Sequence, residues 1–142
     1  MKLALFPIEI SSRELPYKLK LASKLANNDF LVVIAPKKII NVIMRFSKGF
    51  LYFDKGYHRG VTEKIINKIR RRNGIVVSLD EEGAVDFDEF QTLKDRYHND
   101  FIEIVDRVYT WGEIQSKLIS ESTVNNKIVV SGHPRFCYTD LD

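Results

Sequence analysis

The sequence predicts an α/β domain of three layers, Rossmann-like, with a mainly parallel sheet of about six strands. Three observations predict it. Short apolar stretches rich in β-formers alternate with amphipathic stretches of helical period along the whole chain. Alternation of that kind requires right-handed crossovers, which produce a parallel sheet with helices on both faces. Polar clusters recur after the apolar stretches, where the carboxyl ends of the strands would lie. With 142 residues and no internal repeat or linker, the chain reads as one domain, residues 1–142, with a core large enough to fold.

The first strand is Leu3 to Ile8, followed by a polar loop, Glu9 to Glu14. Ser11 or Ser12 is the expected cap of the next helix. Leu15, Leu19, Ala22, Leu25 and Ala26 recur at helical spacing, and Pro16 is tolerated in the first turn. Asn27-Asn28-Asp29 ends that helix, and Phe30 to Ala35 is the second strand. Lys37 to Phe46 is an amphipathic helix carrying Ile39, Ile40, Ile43 and Met44. Phe50 to Phe53 is a short third strand ending in Asp54-Lys55-Gly56. The third helix, Val61 to Arg72, has an apolar stripe of Val61, Ile65, Ile66 and Ile69 and a cap at Asn73-Gly74. Its terminal arginines suit the negative end of the helix dipole, with ligand binding as the other reading.

Ile75 to Leu79 is the fourth strand and the centre of the pattern. Its apolar run stops at Asp80-Glu81-Glu82-Gly83, because unpaired acids cannot continue into a dry sheet. Those acids fall at the sheet's carboxyl edge, where open α/β sheets bind ligands. A solvated loop is the plainer alternative. Phe87 to Ile104 is acidic, aromatic and helical in part, with Phe90, Leu93, Tyr97, Phe101 and Ile104 on one face. Arg107 to Thr110 is a fifth strand ending at Trp111-Gly112, Glu113 to Ser120 a helix, and Lys127 to Ser131 a sixth strand ending at Gly132-His133-Pro134-Arg135. Five polar clusters thus share one rim.

Composition narrows the chemistry. Apolar residues at 44% and charged residues at 29% give a globular balance, and a net charge of +3 is too mild to argue for nucleic acid. The lone Cys137 excludes an internal disulfide and fits a reducing, cytoplasmic setting, with the inner face of a membrane compatible as a peripheral location. No phosphate-cradling glycine loop is present, His58, His98 and His133 lack metal-ligand spacing, and no serine elbow occurs. No cofactor and no metal are expected. Carboxylates, one histidine, an arginine and an aromatic on a rim suit acid–base work on hydroxyls, or binding of a sugar or an anion. His133 precedes Pro134 and is expected on the rim. Arg135 offers a planar fork for phosphate or carboxylate, or a partner for a rim acid. Trp111 would stack on a sugar or base, or simply pack. Asp54 resembles the phosphoacceptor of response-regulator receiver domains, but Glu9 stands alone and the fifth strand ends without a lysine.

Taken in order, Phe6-Pro7-Ile8-Glu9-Ile10 with Arg13-Glu14, Asp54-Lys55-Gly56, Ser78 to Gly83, Trp111-Gly112-Glu113 with Gln115, and Gly132-His133-Pro134-Arg135-Phe136 look like the N-terminal half of bacterial surface carbohydrate biosynthesis proteins. Those proteins resemble glycosyltransferases in which two Rossmann-like domains face across a cleft, the GT-B arrangement. Members often carry Asn at the position of His133 and Asp at that of Cys137. The resemblance implies an acceptor-side domain that helps transfer a sugar from a nucleotide donor to a glycan or lipid-linked hydroxyl. Asp80, Glu81 or Glu82 would be general base, or nucleophile in a retaining transfer. Glu9, Arg13, Lys55, Gly83, Trp111, His133 and Arg135 would bind substrate, with Arg13, Lys55 and Arg135 on anionic groups. The nucleotide sugar would be held mainly by a second domain, so the chain by itself is expected to be inactive, with Cys137 to Asp142 resembling a linker. A non-catalytic carbohydrate- or nucleotide-binding module is the alternative.

Overall fold

The computed structural model describes residues 1–58, 60–79, 81, 97, 99–120 and 126–136. Six strands, β1 (Lys2–Ile8), β2 (Phe30–Pro36), β3 (Phe50–Asp54), β4 (Ile75–Leu79), β5 (Arg107–Thr110) and β6 (Ile128–Val130), form one sheet in the order β2-β1-β3-β4-β5-β6. Every pairing is parallel. Five helices are described: α1 (Ser11–Ala26), α2 (Lys37–Phe46), α3 (Thr62–Arg70), α4 (Asn99–Ile104) and α5 (Glu113–Ser120), with a 3₁₀ turn at Pro134–Phe136. The α/β expectation therefore holds, with every described strand pair parallel.

The strand order decides where the helices go. From β1 to β2 the chain moves one way along the sheet; every later crossover moves the other way. Right-handed crossovers then put α1 on one face and the remaining helices on the opposite face. The two cores show this division. Leu5, Phe50, Tyr52, Val76 and Val108 pack with Ile40 and Met44 of α2, Ile66 and Ile69 of α3, Phe101 and Ile102 of α4, and Ile119 of α5. Ala4, Phe6, Phe53, Val77 and Leu79 point the other way, toward Leu21 and Leu25 of α1. Neighbours in a strand thus serve opposite cores, the two-residue period of a sheet covered on both sides. Fully buried phenylalanines such as Phe6, Phe50 and Phe101 each contribute about 1.5–3 kcal/mol.

Three local expectations are corrected. Helix α1 buries the expected stripe only in part: Leu25 packs toward the sheet but Leu19 is 53% exposed, whereas Glu14, Tyr17 and Lys18 are fully buried. Charges pair in the interior there, so the apolar period alone misphases the helix. Neither Ser11 nor Ser12 caps α1. Its first residue follows Ile10, and the Glu14 carboxylate turns back to accept from the N–H groups of Glu9 (3.2 Å) and Ile10 (3.1 Å). Helix α3 is shorter than read, with Val61 and Arg71 flanking it. Its exit matches the expected cap: Asn73 is left-handed (φ 56°), and the Gly74 N–H returns to the Ile69 carbonyl at 3.0 Å. A Cβ on Gly74 would lie 2.4 Å from Ile69 Cγ2, so the close approach itself requires glycine. Of the expected aromatic helix, Tyr97, Phe101 and Ile104 fall among described residues; Phe90 and Leu93 lie outside them.

Candidate functional site

The strand order reverses between β1 and β3, and a crevice opens outside their carboxyl ends, as the topology dictates. It has a volume of about 140 Å³, and its polar lining includes Glu9, Arg13, Lys37, Asp54, Lys55 and Glu81. They come from the ends of three strands and the starts of two helices. Glu9 follows β1, Arg13 lies in the first turn of α1, and Lys37 opens α2. Asp54 ends β3, Lys55 follows it, and Glu81 follows β4. The Glu81 N–H donates to the Lys55 carbonyl at 3.2 Å, tying the last two strand ends together.

Beneath this crevice lies a buried ion network. Lys18 Nζ is 2.8 Å from Glu14 Oε2 and 2.9 Å from Glu81 Oε1, and donates to the Pro7 carbonyl at 2.7 Å. Lys55 Nζ bridges Glu14 at 2.9 Å and Glu9 at 2.7 Å, while Lys37 pairs with the other Glu9 oxygen. Arg13 Nη2 lies 3.7 Å from Glu14 and 3.8 Å from Glu81. Burial pushes the Glu14 carboxyl up, but hydrogen bonds from Lys18, Lys55 and the Ile10 N–H outweigh it and hold the group at about 2. Hydrogen bonds from Lys37 and Lys55 hold Glu9 at about 2 as well. Burial opposes the charge on Lys55, but its bonds to Glu9 and Glu14 prevail and raise its pKa.

Asp54 behaves in the opposite way. It is 8% exposed, and burial pushes its carboxyl up to about 6. Register puts Asp54 beside Ser78 of β4. Ser78 Oγ donates to Asp54 Oδ2 at 3.4 Å and the Gly56 N–H at 3.2 Å, too little to offset desolvation. A carboxyl of this kind exchanges protons near neutrality.

Tyr17 joins the ionic crevice to an aromatic cluster. Its hydroxyl donates to Glu81 Oε1, and burial followed by that contact pushes its pKa up, so it is a neutral donor. Its ring packs edge-on to His133 with centroids 5.2 Å apart. His133 also packs on Trp111 (4.5 Å), which meets Phe136 at 5.4 Å. His133 is therefore buried beneath the rim, correcting the expectation that it stands on it. Burial, with the Arg135 charge nearby, lowers its pKa to about 4, so the ring is neutral at neutral pH. Its Nδ1 accepts from the Arg135 N–H at 3.1 Å. The Arg135 guanidinium lies 5.9 Å over the Tyr17 ring, with Nε and one Nη buried and without a hydrogen-bond partner among the described residues. Glu81 Oε2 is likewise buried without a hydrogen bond. Such groups in a folded protein call for an explanation, and a bound ligand is one.

The structure thus brings Glu9, Arg13, Lys55 and Glu81 into one crevice and links them through Tyr17 to Trp111, His133 and Arg135. Asp80, Glu82 and Gly83 lie outside the described residues. Sequence reasoning did not select Glu14, Tyr17, Lys18, Lys37 or Asp54 as site residues. The signal available was the Glu14–Lys18 pair, four residues apart on one helix face. Among the described residues no group of His, Cys, Asp and Glu side chains is arranged to hold a metal ion. A larger trough of about 480 Å³ lies on the α1 face, but Phe6, Leu21, Leu51, Phe53, Val77 and Leu79 make it apolar, so the charged chemistry belongs to the crevice. The chain matches no family model, no curated relative and no solved structure.

Proposed function

We propose that this domain is the acceptor-side half of a glycosyltransferase-like protein of cell-surface polysaccharide biosynthesis, and that its crevice holds the sugar hydroxyl that receives the transferred group. The observation that carries the reading is Asp54, a buried carboxyl with its pKa near 6 in a crevice shared with Lys37 and Lys55. At neutral pH such a group is mostly ionised yet keeps enough proton affinity to act as general base. In this mechanism Asp54 takes the hydroxyl proton as the oxygen attacks the donor's anomeric carbon, and the sugar–phosphate bond breaks with its electrons leaving on the nucleotide. Lys55, Arg13 and Arg135 hold anionic groups. Asp80 and Glu82, the general-base or nucleophile candidates of the sequence, lie outside the described residues. The sequence resemblance supports a donor held by a second domain.

One observation favours a non-catalytic carbohydrate- or nucleotide-binding module instead. Glu81 has one oxygen engaged by both Tyr17 and Lys18, which fixes it as a structural group. Calorimetric titration of the chain with a panel of glycans and nucleotide sugars tests the acceptor-side reading. The acceptor-side reading expects glycan binding with Kd of about 1 mM, near −4 kcal/mol, lost in Lys55→Ala, and nucleotide sugars bound no more tightly. Micromolar nucleotide binding with no glycan binding would overturn it.

A further inference from the structure

Helix α2 is apolar on two faces. Ile40 and Met44 enter the core, while Ile39 and Val42 are each 52% exposed and Phe46 is 87% exposed. Spacings of three and four residues align the exposed three in one stripe. Between Asp29 and Asp54 the sequence contains no acid and four cations, Lys37, Lys38, Arg45 and Lys48. Lys37 is engaged by Glu9; the other three are exposed beside the stripe. Next to it a groove of about 290 Å³ runs between α2 and the end of α3, lined by Asn41, Met44, Arg45, Lys68, Arg71 and Arg72. Among the described residues four cations line it, Arg45 of α2, Lys68 of α3 and Arg71 and Arg72 just beyond α3, and no acid does. None of Lys38, Arg45, Lys48, Lys68, Arg71 and Arg72 forms an ion pair among the described residues. The helix dipole accounts for cations at helix ends, but not for their convergence on one groove beside an exposed phenylalanine.

We propose that α2 and the C-terminal end of α3 form a docking surface for an anionic lipid bilayer. Ile39, Val42 and Phe46 enter the boundary between headgroups and acyl chains, and the basic groove takes lipid phosphates. A nucleic acid would satisfy the cations but leave the apolar stripe in water, so lipid is the better fit. Lys37 opens the same helix at the crevice, about 14 Å along the axis from Phe46. Docking would therefore hold the crevice close to the membrane surface. The proposal stands whether or not the domain serves in glycosyl transfer.

Vesicle flotation tests it. The chain is mixed with phosphatidylcholine vesicles, with or without one third phosphatidylglycerol, at about 0.1 M salt and again at about 1 M, where the Debye length shrinks to about 3 Å. Flotation is expected with the anionic vesicles at low salt and much less under the other conditions. Each cation removed should weaken binding about five-fold, so Arg71→Gln with Arg72→Gln should weaken it about 25-fold. Phe46→Ser should weaken it about ten-fold by removing the inserted ring. Both variants change surface groups, and unchanged melting temperatures would confirm that they fold. No flotation of the parent chain, equal flotation with neutral vesicles, or full binding by folded Phe46→Ser would overturn the proposal. So would abolition by inorganic phosphate at matched ionic strength, which would mark a free-anion pocket. Binding of a short DNA duplex more tightly than vesicles, independent of Phe46, would assign the surface to nucleic acid.

Discussion

Asp54→Asn should make the protein more stable at neutral and alkaline pH, and the gain should vanish in acid. The folded carboxyl titrates near 6 against an ordinary value of 3.8, because burial penalises its charged form. At a pH below 3.8 the group is protonated in both states and exerts no pH-linked effect. As pH rises the unfolded chain ionises first, and stability is lost until the folded carboxyl has titrated through 6. The difference of about two pH units corresponds to about 3 kcal/mol of cost above neutrality. With the side chain almost fully buried, little of that is screened away. Asparagine keeps an oxygen for the Gly56 N–H and Ser78 hydroxyl but carries no charge. Urea denaturation followed by circular dichroism should show a gain of about 2–3 kcal/mol near pH 8, falling to about 0.5 kcal/mol near pH 4. Equal gains at both pH values, or destabilisation near pH 8, would show Asp54 to be an ordinary stabilising carboxylate and not a poised one.

Lys18→Met should cost about 3–5 kcal/mol, since it strands Glu14 and Glu81 in the interior without their central cation; equilibrium urea unfolding measures it, and a cost under about 1 kcal/mol would deny the network its role. Glu14, fully buried and held at about 2, should contribute about 3 kcal/mol that is fully present above pH 4.5 and is lost as pH falls toward 2. Glu14→Gln should flatten that acid limb in a stability–pH profile, whereas half-exposed Glu9, shifted equally, should contribute well under 1 kcal/mol because water screens it. Gly74→Ala should destabilise by about 1–3 kcal/mol, because the new Cβ meets the stiff Ile69 side chain and approaches the Phe50 ring; thermal melting would show it.

Much of the fold was legible because its signals are local. Apolar runs such as Ile75–Leu79 and the helical period of Lys37–Phe46 each lie within a few residues. The turn at Asn73-Gly74 was equally readable. The rim was legible by the same logic, since acids and glycines must follow the strand ends wherever the sheet lies. The buried ion network was not. Read locally, Glu14 closes the polar stretch Glu9 to Glu14, and Lys18 lies off the apolar stripe of the helix. Their burial depends on Lys55 and Glu81, which are remote in sequence and meet α1 only after β1, β3 and β4 have paired. Asp54 was visible as a residue, but its raised pKa comes from desolvation by the assembled sheet, which no spacing rule contains. His133 was misplaced for a related reason: a histidine before proline reads as loop, and only the packing of Tyr17 and Trp111 draws it inside.

Ligand chemistry in this domain belongs to the crevice between the ends of β1 and β3, as proposed above. Amide chemical-shift mapping of the isotopically labelled chain, titrated with short oligosaccharides, tests it most directly. Saturable shifts are expected, centred on Arg13, Lys55, Gly56 and Glu81 and absent in Lys55→Ala. Shifts confined to the apolar trough around Phe6, Leu21 and Tyr109, or no shifts with any sugar, would contradict it.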